Sequence, residues 1–305
     1  MILVACGGGE VDVTSLQASA AGGAQGVSGS SGTGGGASGT GGAPGSAGAP
    51  ICPNSPIPSG GSGGKVGTVE IVTYRASDTI NSSVTALFAS GGDANGTAAC
   101  QVTKLSPCVV RTCPSVPPDP TSRFESAGTL TVTGGAFPVS IDPQHTTTDP
   151  TKIAQGTDYG YASSVGKQLY VGGEALVVST PGASVPALAT TVAAPSAITL
   201  LTPAAGATID PAGPLSLTWT PNATATFLAL DLSTNACGIT THVVCTFPAQ
   251  DGAASVPAGA LASLHGSVTA SVSGLGTQLV NAGDYIMTVD VHDRTGSPPR
   301  MLALP

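Results

Sequence analysis

From residue 65 to the C-terminus the chain is a succession of short β-branched or alternating runs, each ended by Gly, Pro or Asp. No long stretch keeps its apolar residues at helical spacing, which argues against bundles and doubly wound α/β folds. Thr68 to Tyr74 and Val84 to Phe88 are β-branched, and Gly128 to Thr133 alternates with period two, as a half-buried strand does. Turns are signalled at Gly91-Gly92-Asp93, Pro117-Pro118-Asp119, Gly134-Gly135 and Gly172-Gly173. Further strands are expected within Ala197 to Pro203, Pro214 to Trp219, Thr226 to Leu232, Val243 to Phe247, Gly266 to Val272 and Asp284 to Val291. A single helical turn is expected within Pro257 to Leu264. The expected fold class is therefore all-β, with tandem β-sandwich domains at 65–195 and 196–305.

Residues 7–64 have a different texture. They are dominated by Gly, Ser and Ala, and such chains behave as coils whose mean reach is about 5–6 Å × √n, on the order of 40 Å here. This segment is expected to be a disordered tether. Immediately before it stands Leu3-Val4-Ala5-Cys6. The tetrapeptide resembles the bacterial lipobox, whose Cys becomes a diacylated N-terminus, and the resemblance implies that Cys6 carries a lipid anchor. Residues 1–6 would then be a truncated signal peptide, since only Met1 and Ile2 stand where a longer apolar segment is needed. Gly7 after the Cys resembles outer-membrane sorting in Gram-negative lipoproteins. A membrane partner through the anchor and a cell-envelope location, facing the periplasm or the surface, are what this implies.

The span from residue 196 to 305 also resembles immunoglobulin-like or fibronectin-type-III-like bacterial surface domains. The resemblance rests on Thr202-Pro-Ala-Ala-Gly-Ala-Thr-Ile209, on Leu215 to Thr220 with the one Trp of the chain, and on Ala282 to Gly296 with Tyr285 before a closing strand. It implies a fold and names no ligand. A weak internal repeat, Gly166 to Leu176 against Gly276 to Ile286, suggests two diverged copies of one sandwich, with Tyr74 in the place of Trp219.

Composition excludes several classes of function. The net charge is −8 with nine basic residues scattered from Lys65 to Arg300, whereas nucleic-acid binding requires clustered Lys and Arg. Seven Cys leave an even six once Cys6 is set aside for lipid, and six Cys in a Gly- and Pro-rich exported chain read as disulfides. Cys237 is expected to pair with Cys245, because these two stand alone in the second half. The other four allow three connectivities, of which Cys100–Cys108 with Cys52–Cys113 is the expected one. Zinc at Cys108-x4-Cys113 is the rival, without a second close pair or a nearby His to complete it.

Candidate chemistry is sparse. Gly60-Gly61-Ser62-Gly63-Gly64 matches Gly-x-Ser-x-Gly, but inside the tether it has no strand and helix to hold it. Asp290, His292 and Asp293 form the densest polar cluster; on a strand the first two share a face. Asp142, His145 and Asp149 fall in a Pro-bounded loop, where turn formation is expected. Trp219 shares a face with Leu215 and Leu217 and is expected in the core. No catalytic residue, metal ligand or cofactor site is nominated. The functional expectation is a non-enzymatic binding or structural protein of the envelope, with a cell-wall glycan or surface protein as partner. The alternatives are a spacer without a ligand and a secreted hydrolase.

Overall fold

The computed structural model describes residues 65–76, 79–90, 100–114, 123–136, 138–146, 156–162, 168–236 and 238–305. Among them the protein is all-β, with nineteen strands, one four-residue helix, α1 (Ala258–Leu261), and a 3-10 turn at Ala249–Asp251. Every expected strand is present, and α1 lies where the single helical turn was anticipated. The expected tether at 7–64, with Cys6, Cys52 and Ser62 within or beside it, lies outside the described residues, as do Asp149 and Cys237.

One long sheet organises the molecule. Its order is β3 (Gln101–Leu105), β4 (Cys108–Pro114), β15 (Ile239–Pro248), β14 (Phe227–Ala236), β17 (Ser267–Ala282), β18 (Tyr285–Arg294), β1 (Lys65–Ala76), β2 (Thr79–Ser90), β9 (Gly156–Ala162) and β8 (Gln144–Thr146). β19 (Arg300–Ala303) also pairs with β17, and β5 (Arg123–Phe124) with β2. β1 and β18 run parallel, from Lys65 opposite Tyr285 to Tyr74 opposite Arg294, so the first described strand is laid beside nearly the last. A second sheet has the order β11 (Leu188–Ala193), β10 (Ala175–Thr180), β6 (Leu130–Thr133), β7 (Val139–Ile141). The third is β12 (Leu200–Thr202), β13 (Leu215–Trp219), β16 (Ala253–Val256).

Each small sheet covers part of the long one and closes a hydrophobic core against it. The first core sets Leu130, Val132, Leu176 and Val178 of the second sheet against Ile71, Phe88, Met287 and Val289 of the long sheet. The second sets Leu217, Trp219 and Val256 against Leu228, Leu230, Val243 and Val268. Because strand residues alternate in direction, Val268, Ala270 and Val272 in one core and Ala282 in the other lie on one face of β17. This sixteen-residue strand therefore runs under both cores. Its first residues pair with β14 and β19, and its last with β18.

The chain passes from the second sheet to the third over the middle of β17. Gly274 and Gly276 lie beneath it: a Cβ at Gly274 would strike the Ser196 carbonyl, and one at Gly276 the Ala193 carbonyl. Two glycines at i and i+2, on one face of the strand, let the crossing backbone approach this closely.

The crossing lies at the expected boundary between 195 and 196, yet the cores exchange strands across that point. Tyr285, Met287, Val289 and Val291 belong to the first core, while Cys108 and Val110 belong to the second. The positions matched by the internal repeat have unlike environments: Leu169 and Leu176 are buried, whereas Leu279 is half-buried and Ile286 is 53% exposed. Trp219 is 1% exposed, and Tyr74, its expected counterpart, is half-buried on the opposite side of the long sheet from the core residues of its strand. Trp219 is a core residue, as expected; its Nε1 donates to the Ala249 carbonyl at 2.8 Å and its ring stacks obliquely on Phe247.

The cysteines pair differently from the expected set. Cys100 bonds to Cys113 and Cys108 to Cys245, which replaces the Cys100–Cys108, Cys52–Cys113 and Cys237–Cys245 pairings. The reason is register. Cys108 lies directly opposite Cys245 in the β4–β15 ladder, although 137 residues separate them along the chain. Cys108 and Cys113 are thereby committed to separate bridges, so they do not form the ligand pair that a zinc site would have used.

Candidate functional site

The face of the long sheet opposite the two cores carries a row of polar side chains at its centre. Even-numbered residues of β18 point to this side, because Met287, Val289 and Val291 point to the core. The parallel register then places Glu70 beside Asp290 and Val72 beside His292, while the antiparallel register to β17 sets Leu275 opposite His292 and Thr277 opposite Asp290. Ser273 follows two residues before Leu275 on the same face. Thus β1, β17 and β18 bring together Glu70, Ser273, Thr277, Asp290, His292 and Arg294. Asp290 and His292 share this face, as the alternation predicted. Asp293 points to the other, where it accepts from the backbone N–H and hydroxyl of Thr295 at 2.9 and 2.6 Å.

His292 lies between a hydroxyl and a carboxyl group. Ser273 Oγ is 2.9 Å from His292 Nδ1, and Glu70 Oε1 is 4.0 Å from Nε2. Burial, reinforced by the Arg294 guanidinium, pushes the imidazole down to about 3, so it is neutral at neutral pH. Ser273 Oγ and Nδ1 share one hydrogen bond whose direction follows the ring tautomer, and the approach of Glu70 is a contact with a neutral ring rather than an ion pair. Burial pushes the Glu70 carboxyl up, and Arg294, whose Nη2 donates to Glu70 Oε1 at 3.3 Å, pulls it back down. Thr277 donates to Asp290 Oδ1 at 2.5 Å.

The sequence Ser, His, Glu has the order of a nucleophile relay. The chemistry differs in two respects. A ring whose conjugate acid forms near pH 3 is a weak acceptor for a serine proton at neutral pH. Ser273 is also only 5% exposed and His292 9%. What the arrangement does is join three central strands: Ser273 to His292 and Thr277 to Asp290 between β17 and β18, and Arg294 to Glu70 between β18 and β1.

Three further features lie away from this row. Asp231 and His242, both partly exposed, face each other at 3.1 Å on the outer side of β14 and β15. A shallow groove of about 590 Å³ opens at one end of the second sheet, between Thr129, Thr131, Ser179, Thr180, Pro181 and Leu188. The buried Thr180 hydroxyl there makes no hydrogen bond. The third feature is the cysteine-bound hairpin of β3 and β4 at the end of the long sheet.

Of the remaining sequence candidates, Asp142 accepts from the Thr129 hydroxyl at 2.8 Å, and the backbone of His145 lies in β8, paired with β9, where a turn was expected. Among the described residues no group of three or more His, Cys, Asp or Glu side chains is arranged to hold a metal ion. Also among them, no helix is long and apolar enough to cross a membrane. Sequence reasoning missed Glu70 and Ser273 as neighbours of His292. They lie 222 and 19 residues away in the chain (292 − 70 and 292 − 273), and only strand order joins them. Neither a protein-family model nor a curated protein matches the chain.

Proposed function

We propose that this chain is an exported, lipid-anchored protein of the cell envelope whose β-sheet body has a non-enzymatic binding or structural role. The observation that carries the reading is the pairing of cysteines within the body, Cys100 with Cys113 and Cys108 with Cys245, behind a Leu3-Val4-Ala5-Cys6 lipobox-like start and a Gly/Ser-rich run. Disulfides persist in oxidising compartments. An acylated Cys6 would hold the body to a membrane, with acyl chains contributing about 0.8 kcal/mol per buried methylene. Residues 7–64 would set its reach. Outer-membrane sorting, suggested by Gly7, belongs to the same reading.

In this reading the body resembles immunoglobulin-like surface domains and presents loops or strand edges to a cell-wall glycan or a surface protein. A spacer without a ligand is the second reading, and the composition favours it in one respect. Aromatic residues make up only 4% of the chain, whereas binding surfaces are enriched in Tyr and Trp. A pull-down with isolated cell-wall glycan and with intact envelopes separates the two, since a spacer retains neither. The whole proposal is tested by expressing the gene from its natural start and determining the intact mass of the mature protein. The expected result is a diacylated or triacylated Cys6 in the membrane fraction; an unacylated protein in the cytosol with reduced thiols would overturn it.

A further inference from the structure

We propose that the Cys100–Cys113 disulfide is a redox-sensitive latch on an edge strand, opened by a dithiol while the Cys108–Cys245 bond stays closed. The four cysteines lie on one hairpin and its neighbour. β3 and β4 pair from Gln101 opposite Thr112 to Leu105 opposite Cys108, across a turn at Ser106-Pro107. Cys100 and Cys113 close the open end of this hairpin. At the turn end, Cys108 bonds sideways to Cys245 and fastens β4 to β15. One bond therefore ties β3 to β4; the other ties β4 to the body.

Their surroundings differ in the way that governs thiol exchange. Cys108 is 2% exposed and Cys245 is fully buried, within the second core. Cys100 and Cys113 are both partly exposed, at the outermost pair of strands in the long sheet. An attacking thiolate must reach sulfur along the S–S axis, so access selects the outer bond. The reaction balances as a two-electron exchange. A thiolate of the dithiol attacks one sulfur of the pair, and the S–S bond breaks with its electrons on the other cysteine. The second thiol of the reductant then displaces the first cysteine from the mixed disulfide. The reductant leaves as a disulfide, and its two protons end on Cys100 and Cys113. A protein dithiol of the Cys-x-x-Cys class fits this role.

Opening the latch changes an edge without dismantling a core. Among the described residues β3 pairs with one strand, β4, and four of its five residues are exposed; the fifth, the half-buried Leu105, packs against the second core. A short hairpin strand with so little burial is held weakly once its cross-link is gone. β4 stays paired with β15 over seven residues, from Cys108 to Pro114, and stays bonded through Cys108. Departure of β3 then presents the β4 edge, whose backbone groups are a template for an added strand. The latch is independent of the lipid anchor and of any ligand assigned to the body.

The test titrates the purified full chain with dithiothreitol under native conditions, traps thiols with N-ethylmaleimide, and reads both labelling and amide exchange by mass spectrometry. At the dose that half-opens Cys100–Cys113, labelling of Cys108 and Cys245 is expected to be about tenfold lower or less. Amides of β3, and those of β4 that bond to it, are expected to exchange on the order of 100-fold faster once the latch is open, with β15 still protected. The C100S/C113S double variant should show that exchange pattern without reductant. If this variant does not accumulate, the reduced wild-type chain gives the same reading. Labelling of Cys108 and Cys245 at the same dose or earlier overturns the proposal, and so does unchanged protection of β3 after its bond is cut.

Discussion

Single side chains at the centre of the long sheet set its response to acid. His292 binds its proton near pH 3 when folded, against about 6.5 when unfolded. Below about 6.5 the unfolded chain therefore holds more protons at this site, and stability falls as pH falls through the window from about 6.5 to about 3. The slope reaches at most about 1.4 kcal/mol per pH unit. Glu70 acts in the opposite sense: with its folded pKa raised by burial, it contributes stability at low pH that is lost as pH rises through that pKa. Urea unfolding at pH 7 and pH 4 should therefore show a larger loss for the wild-type chain than for His292→Gln, which removes the imidazole. Equal losses would show that the imidazole is not neutral and buried as described. In the second core, Trp219→Ala should cost about 3–5 kcal/mol, measurable as a lower denaturation midpoint. Its ring is fully enclosed and its Nε1 proton is already committed to Ala249.

Among the elements, β4 and β17 depend most on particular residues. β4 comes from the first half of the chain but completes the core of the second, and Cys108–Cys245 fixes it there across 137 residues. Removing this bond with a Cys108→Ala/Cys245→Ala pair should cost roughly 3–5 kcal/mol, more than removing Cys100–Cys113, whose loop is about tenfold shorter. Guanidinium unfolding of the two double variants under identical conditions checks the order. On β17, Gly276→Ala puts a methyl group against the Ala193 carbonyl of the crossing chain. Backbone cannot step aside as a flexible side chain can, so a loss of about 1–3 kcal/mol is expected, typical of overpacking. A neutral result in thermal unfolding would mean that the crossing segment is not held against β17.

At the scale of the whole molecule, the two cores share one sheet and borrow strands from each other's half of the chain. A fragment ending at residue 195 lacks Tyr285, Met287, Val289 and Val291, which complete its core. One comprising 196–305 lacks Cys108 and Val110. Neither fragment alone is expected to melt cooperatively, whereas residues 65–305 should. Calorimetry of the three polypeptides decides it, and a cooperative transition in 65–195 alone would contradict the shared sheet.

The sequence by itself determined the all-β class, the positions of most strands, the burial of Trp219 and the common face of Asp290 and His292. These follow from side-chain alternation and turn residues, which act over a few positions. The tertiary structure alone decided which strands lie side by side, and with that the partners of Cys108 and Cys113 and the meeting of Glu70, Ser273 and His292. Pairing between strands distant in sequence is a property of registers and shared cores. Cys108 has Cys113 near it in the chain, but strand pairing places Cys245 opposite it, and chain distance carries no information about that choice.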